Sequence, residues 1–132
     1  STRNRTLFPY TTLFRSLLDV RAAVRYRGES EPIDPIAGHI PGAINLPAAG
    51  NIAADGTLNG LAALREAFAG VGVEPGTPVA AYCGSGVNAA HTALALAEIG
   101  IPAQLFSGSW SAWSNTPGRP VAVGEAPDDE RA

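Results

Sequence analysis

Cys83 is the one cysteine of this chain, and its surroundings give it chemistry. Before it runs Val79-Ala80-Ala81-Tyr82, a short apolar stretch with the pattern of a buried strand. After it come Gly84-Ser85-Gly86-Val87-Asn88 and then the helix-like run Ala89 to Ile99. A thiol on a tight loop between a strand and a helix N-terminus sits where backbone N–H groups converge. Such a place stabilises a thiolate and the anions it reacts with. Gly84 and Gly86 leave the backbone free to curl into a nest of donors. A lone cysteine in an α/β domain is otherwise a small core hydrophobe; the Gly-Ser-Gly loop and the following helix favour the nucleophile.

The elements needed to hold that loop can be read from the spacing of apolar residues and the turn formers. Leu17 to Val20 reads as a short buried strand, and Arg21 to Tyr26 as one or two helical turns. Arg27 to Gly38 carries Gly28, Pro32, Pro35 and Gly38 and reads as a loop. Ala43 to Leu46 is a second strand, entered through the Pro41-Gly42 turn, and Pro47 to Gly60 is an irregular connection. Leu61, Leu64, Ala67 and Phe68 have helical spacing, so Leu61 to Ala69 is a helix, ended by Gly70 and Gly72. Pro78 to Tyr82 is the third strand. Asn88 to Glu98 is a helix with Ala90, Leu94 and Ala97 as its apolar stripe, closed by Gly100. Ala103 to Phe106 is a fourth strand, and Gly108 to Ser114 a short helix carrying Trp110 and Trp113. Thr116 to Ala132, rich in Pro, Gly and acid, reads as a tail. Strands alternating with helices predict an α/β fold: a small, mostly parallel sheet flanked by helices. Binding crevices of such sheets lie at the strand carboxyl ends, so Asp19 and Cys83 should face one crevice.

Composition bounds the function. With 132 residues the chain has room for one domain with a modest core. A formal net charge of −3 without a basic patch argues against nucleic acid or an anionic membrane as partner. One cysteine forms no internal disulfide, and no Cys/His spacing suggests a metal, so the expected setting is a reducing, cytoplasmic one with no metal or cofactor. No apolar run is long enough to span a bilayer. At the N-terminus, Thr6-Leu7-Phe8-Pro9-Tyr10-Thr11-Thr12-Leu13-Phe14-Arg15-Ser16 looks like the in-frame translation of a common sequencing-adapter oligonucleotide. Residues 1–16 are therefore expected to be non-native; they lack the apolar core and cleavage site of a signal peptide.

Four segments, in order, resemble the rhodanese family, specifically the catalytic C-terminal domain of two-domain thiosulfate or 3-mercaptopyruvate sulfurtransferases. They are Leu18-Asp19-Val20-Arg21 with Arg25-Tyr26-Arg27-Gly28, then Gly38-His39-Ile40-Pro41-Gly42-Ala43-Ile44-Asn45, then the Cys83 loop, and finally Gly108-Ser109-Trp110-Ser111-Ala112-Trp113. The resemblance implies a rhodanese-like catalytic domain over 17–124, truncated at its start, followed by a disordered acidic tail over 125–132. It also implies a preceding rhodanese-like domain that would pack over the cleft; without it this fragment could be inactive, or a non-enzymatic sulfur-carrier or interaction module.

The implied activity is transfer of a sulfane sulfur from thiosulfate or 3-mercaptopyruvate, through a Cys83 persulfide, to cyanide, a thiol or thioredoxin. By resemblance Gly84, Ser85, Gly86, Val87 and Asn88 form the persulfide-binding loop. Arg25 contacts the anionic donor, as a planar guanidinium suits a carboxylate or sulfonate. Asp19 supports the site by hydrogen-bonding loop backbone or Arg25. Asn88 departs from the family's usual hydroxyl residue but can still donate, and can cap the helix. His39 belongs to a structural turn, His91 to packing or surface, and Trp110 to the core or the pocket wall. Thiosulfate-type loops place basic side chains where this chain has Gly84 and Ser85, which leans the donor toward 3-mercaptopyruvate; against that, Glu31-Pro32-Ile33-Asp34-Pro35 lacks the second arginine of some mercaptopyruvate enzymes. Rhodanese-fold phosphatases and arsenate reductases need a longer loop ending in arginine, whereas Asn88-Ala89-Ala90 stands here.

Overall fold

Four short strands form a parallel sheet in the computed structural model, which describes residues 16–84, 87–127 and 130–131. β1 (Ser16–Asp19) and β3 (Val79–Tyr82) lie side by side at its centre, paired from Ser16↔Val79 to Asp19↔Tyr82. β2 (Ile44–Asn45) flanks β1, and β4 (Ala103–Leu105) flanks β3. Every residue of the two central strands is buried, which explains the adjacent Leu17-Leu18 of β1 and the unbroken apolar run of β3: a strand covered on both faces has no polar side to alternate with.

The period of two in a strand divides the core. Leu18, Val79 and Ala81 face one layer, shared with Leu64 and Phe68 of α2 (Leu61–Ala69) and Leu96 of α3 (Val87–Glu98). Leu17, Ala80 and Tyr82 face the other, with Tyr26 of α1 (Ala23–Tyr26) and Trp110 and Trp113 of α4 (Ser109–Ser114). The α/β architecture and the strand and helix positions match the sequence reading to within one or two residues. β1 starts at Ser16 rather than Leu17, and Ser16 is buried against β3. The rest of the adapter-like segment, 1–15, lies outside the described residues.

Two local readings are corrected. In α3 the predicted stripe of Ala90, Leu94 and Ala97 is the exposed side, with Leu94 54% exposed. The buried residues are Ala89, Thr92, Ala95, Leu96 and, just beyond the helix, Ile99. Alanine and leucine occur all around this helix, so periodicity alone does not choose a face; the sheet does. The second correction concerns the end of the chain. Thr116 to Ala132 is not simply a tail: β5 (Val121–Ala122) pairs with β6 (Glu130–Arg131), and Ala122 bridges His39. Within the expected disordered segment 125–132, the Pro127 carbonyl accepts from Gly42 N–H at 2.9 Å and lies 3.1 Å from His39 Nε2. Gly38 makes room for this wrap. Its φ is +129°, and a Cβ there would stand 2.5 Å from the Ala122 carbonyl oxygen.

The two leucines of α3 separate these readings. Leu96→Ala is expected to destabilise by about 2–5 kcal/mol, and Leu94→Ala by no more than about 0.5 kcal/mol, in urea unfolding. Equal costs would restore the stripe predicted from sequence.

Candidate functional site

Cys83 follows β3 at the carboxyl edge of the sheet and is 2% exposed. Trp110 N–H donates to the Cys83 carbonyl at 2.8 Å, and Ser111 N–H to the Gly84 carbonyl at 3.0 Å. Cys83 N–H donates to Ser109 Oγ at 3.0 Å. The start of α4 therefore grips the backbone on which the thiol stands. Arg25, Ile33, Asp34, Cys83, Gly84, Asn88 and Ser111 line a cleft of about 280 Å³. The Arg25 guanidinium reaches the start of the Cys83 loop: a Cβ added to Gly84 would stand 3.1 Å from Arg25 Nη1.

A buried chain of charges positions Arg25. Asp19, at the end of β1, takes the Arg21 guanidinium on both carboxylate oxygens, with Nη2 at 2.6 Å, and accepts the Arg21 backbone N–H at 3.0 Å. Arg21 Nη2 also donates to the Gly38 carbonyl at 2.6 Å and Nη1 to Glu31 at 3.3 Å. Its guanidinium lies over Trp110, 4.8 Å from the ring centroid. Glu31 in turn takes Arg25 Nη2 at 2.8 Å and accepts the N–H groups of Ile33 and Asp34. Asp34 lies 3.4 Å from Arg25 Nη2 and accepts the Ser111 hydroxyl at 2.8 Å. Residues 31–36 thus cross from α1 to α4 as a strap beside the cleft, fastened further by Trp110 Nε1 on the Ile36 carbonyl at 2.9 Å.

The electrostatics follow the geometry. Burial works against the Arg21 charge, but the hydrogen bond and charge of Asp19 outweigh it and raise its pKa above the ordinary arginine value. Burial likewise pushes the Glu31 carboxyl up, and the hydrogen bonds from Arg25, Asp34 and Ile33 pull it down further, for a net lowering. Tyr82 is held well above the usual phenol range by burial and by nearby Asp19.

The predicted residues fall into three groups. Cys83, Gly84, Asn88 and Arg25 meet in the cleft. Ser85, Gly86 and the Val87 side chain lie outside the described residues. Asp19 is fully buried and bonds to Arg21, whereas the sequence reading joined it to Arg25 or the loop; its link to the cleft runs through Arg21 and Glu31. Asn88 is the second residue of α3, inside the helix rather than at its cap. His39 stacks on Tyr26 at 3.7 Å between ring centroids, and its Nδ1 is 2.7 Å from the Tyr26 carbonyl, a packing role. Trp110 is fully buried behind the strap rather than in the cleft wall. Sequence reasoning missed Arg21, Glu31, Asp34, Ser109 and Ser111. The Asp19-x-Arg21 spacing at a strand end was a usable signal. The Ser109 contact joins positions 26 residues apart and left no signal in the sequence.

The family model for the rhodanese-like domain matches residues 10–116. The chain belongs to the rhodanese family. A rhodanese relative of Mycobacterium tuberculosis, named as the thiosulfate sulfurtransferase SseB, is 52% identical over 111 residues, covering 84% of this chain and 39% of that protein. A Pseudomonas aeruginosa protein named as a 3-mercaptopyruvate sulfurtransferase is 46% identical over 112 residues, covering 83% of this chain and 39% of the relative. The rhodanese fold found here also superposes on an anaerobic ergothioneine biosynthesis enzyme from Chlorobium limicola, solved with trimethyl histidine. That match has a TM-score of 0.77 at 27% identity and covers 83% of this chain and 28% of that enzyme. The chain spans about two fifths of the length of these curated relatives (39%).

Two measurements test the charge chain. Arg21→Ala leaves the Asp19 carboxylate buried without its guanidinium, and is expected to cost about 3–5 kcal/mol in urea unfolding. Glu31 has a folded pKa below the ordinary 4.5, so its charge stabilises the fold above that value, and the gain is lost as pH falls through the depressed pKa. The stability gap between the parent and Glu31→Gln should therefore be full at neutral pH and shrink on acidification below 4.5. A gap that widened would refute this assignment.

Proposed function

We propose that this chain carries the catalytic site of a sulfurtransferase that moves a sulfane sulfur from an anionic donor to a thiophilic acceptor through a persulfide on Cys83. One observation carries the reading: the sole cysteine of a rhodanese-family chain lines a cleft together with a guanidinium, at the carboxyl edge of a parallel sheet. Arg25 would hold the donor's anionic group, with Asn88 and Ser111 as further polar partners. With thiosulfate, the Cys83 thiolate attacks the outer sulfur; the S–S bond of the donor breaks, and sulfite leaves with the electron pair. With 3-mercaptopyruvate, the thiolate attacks the donor sulfur and the C–S bond breaks. The departing enolate takes a proton from the donor thiol or water to give pyruvate. Cyanide or a thiolate then attacks the outer sulfur of the persulfide, and the Cys83 thiolate is restored.

Glu31 and Asp34 already share the Arg25 charge, which supports the singly charged carboxylate of 3-mercaptopyruvate over the thiosulfate dianion. The resemblance to proteins bearing both names leaves both donors in the reading.

Sulfur transfer from each donor to cyanide, followed as thiocyanate, tests it. Activity with at least one donor and its loss in Cys83→Ser are expected, together with the mass of one added sulfur on the donor-treated parent. No transfer and no added sulfur with either donor would leave the carrier or interaction-module reading in its place. Asp34→Asn keeps a partner for Ser111 but removes a negative charge from the cleft. It should raise the thiosulfate rate relative to that with 3-mercaptopyruvate by at least about threefold.

A further inference from the structure

Ser109 combines features that the sulfurtransferase reading does not use. It is fully buried, and it is the one non-glycine residue with positive φ among the described residues, at +56°. A side chain in that backbone region is strained, and the surrounding structure must hold it there. Its hydroxyl oxygen accepts Cys83 N–H at 3.0 Å. Two acceptors surround the hydroxyl: the Phe106 carbonyl at 2.9 Å and the Cys83 sulfur at 3.9 Å. The hydroxyl has one proton and can donate to only one of them at a time. Toward a neutral thiol, the carbonyl is both the nearer and the stronger acceptor. Toward an anionic sulfur the balance changes, since a hydrogen bond to a charged acceptor is roughly twice as strong as a neutral one.

We propose that Ser109 is an anion-stabilising residue of the Cys83 site, its hydroxyl proton turning from the Phe106 carbonyl to the Cys83 sulfur when that sulfur becomes anionic. The turn breaks one hydrogen bond and forms another, with no net proton transfer. Throughout it, the serine oxygen keeps accepting Cys83 N–H, so the residue both seats the cysteine backbone and answers the charge on its side chain. This inference rests on the reading of Cys83 as the reactive group, but it concerns the sulfur anion itself and not the donor or acceptor.

The sole cysteine makes the test direct. In the full chain labelled with ¹³Cβ-cysteine, one resonance reports the thiol–thiolate midpoint. Ser109→Ala and Ser109→Gly both remove the hydroxyl, and glycine also removes the backbone strain. Both are expected to move the midpoint upward by about half a unit to one unit, while a residue that served only to pack would leave it in place. In the unaltered chain labelled with ¹³Cβ-serine, the Ser109 signal should shift with the same midpoint as Cys83; this arm does not depend on either variant folding. An unmoved midpoint in a folded variant, or a Ser109 signal that ignores the Cys83 titration, would overturn the proposal. Sulfur loading of the parent is scored separately: its absence counts against the sulfurtransferase reading, and its presence with a silent Ser109 counts against this inference alone.

Discussion

The buried guanidinium of Arg21 organises this domain's functional edge. It bonds Asp19 at the end of a central strand, the Gly38 carbonyl, and Glu31 in the strap, and it lies over Trp110. A charge so enclosed is stable only when its partners are in place, because desolvation must be offset by several hydrogen bonds at once. The consequence is spatial: one arginine ties a strand end, a loop and α4 into one unit. Arg25 inherits its position from that unit through the shared Glu31 carboxylate.

A second constraint acts on the cysteine from the other side. The start of α4 donates Trp110 N–H and Ser111 N–H to the carbonyls of Cys83 and Gly84, and accepts Cys83 N–H on a serine hydroxyl. The backbone entering the loop is thus fastened before any side-chain chemistry begins. Trp110 belongs to both arrangements: its backbone grips Cys83, its ring carries Arg21, and its Nε1 holds the Ile36 carbonyl of the strap.

Much of this was legible in the sequence, and the physical reason is burial. The central strands are covered on both faces, so Leu17-Leu18 and the apolar run of β3 stand out, and the cysteine is unique and followed by Gly84 and Gly86. Arg25 could be named by resemblance and does line the cleft. The interior face of α3 was not legible, because an alanine-rich helix presents several equivalent stripes. The partner of Asp19 was misassigned: it is Arg21, two residues on, a spacing at a strand end that the sequence reading passed over. The C-terminal wrap was unreadable for a different reason. β5 and β6 are two residues each, and what anchors the wrap is His39 on Ala122 and Gly42 on Pro127, partners more than 80 positions apart.

The pairing of Arg25 with Glu31 and Asp34 carries a consequence for anything that enters the cleft. Glu31 and Asp34 take only Nε and Nη2, and Nη1 is left facing the start of the Cys83 loop, so an incoming anion would meet a guanidinium that is half engaged and whose free edge lies beside the cysteine. The gain would be smaller than at an unpaired arginine, because two carboxylates already share the charge. Small differences in fit between anions would then weigh heavily in which one the cleft holds.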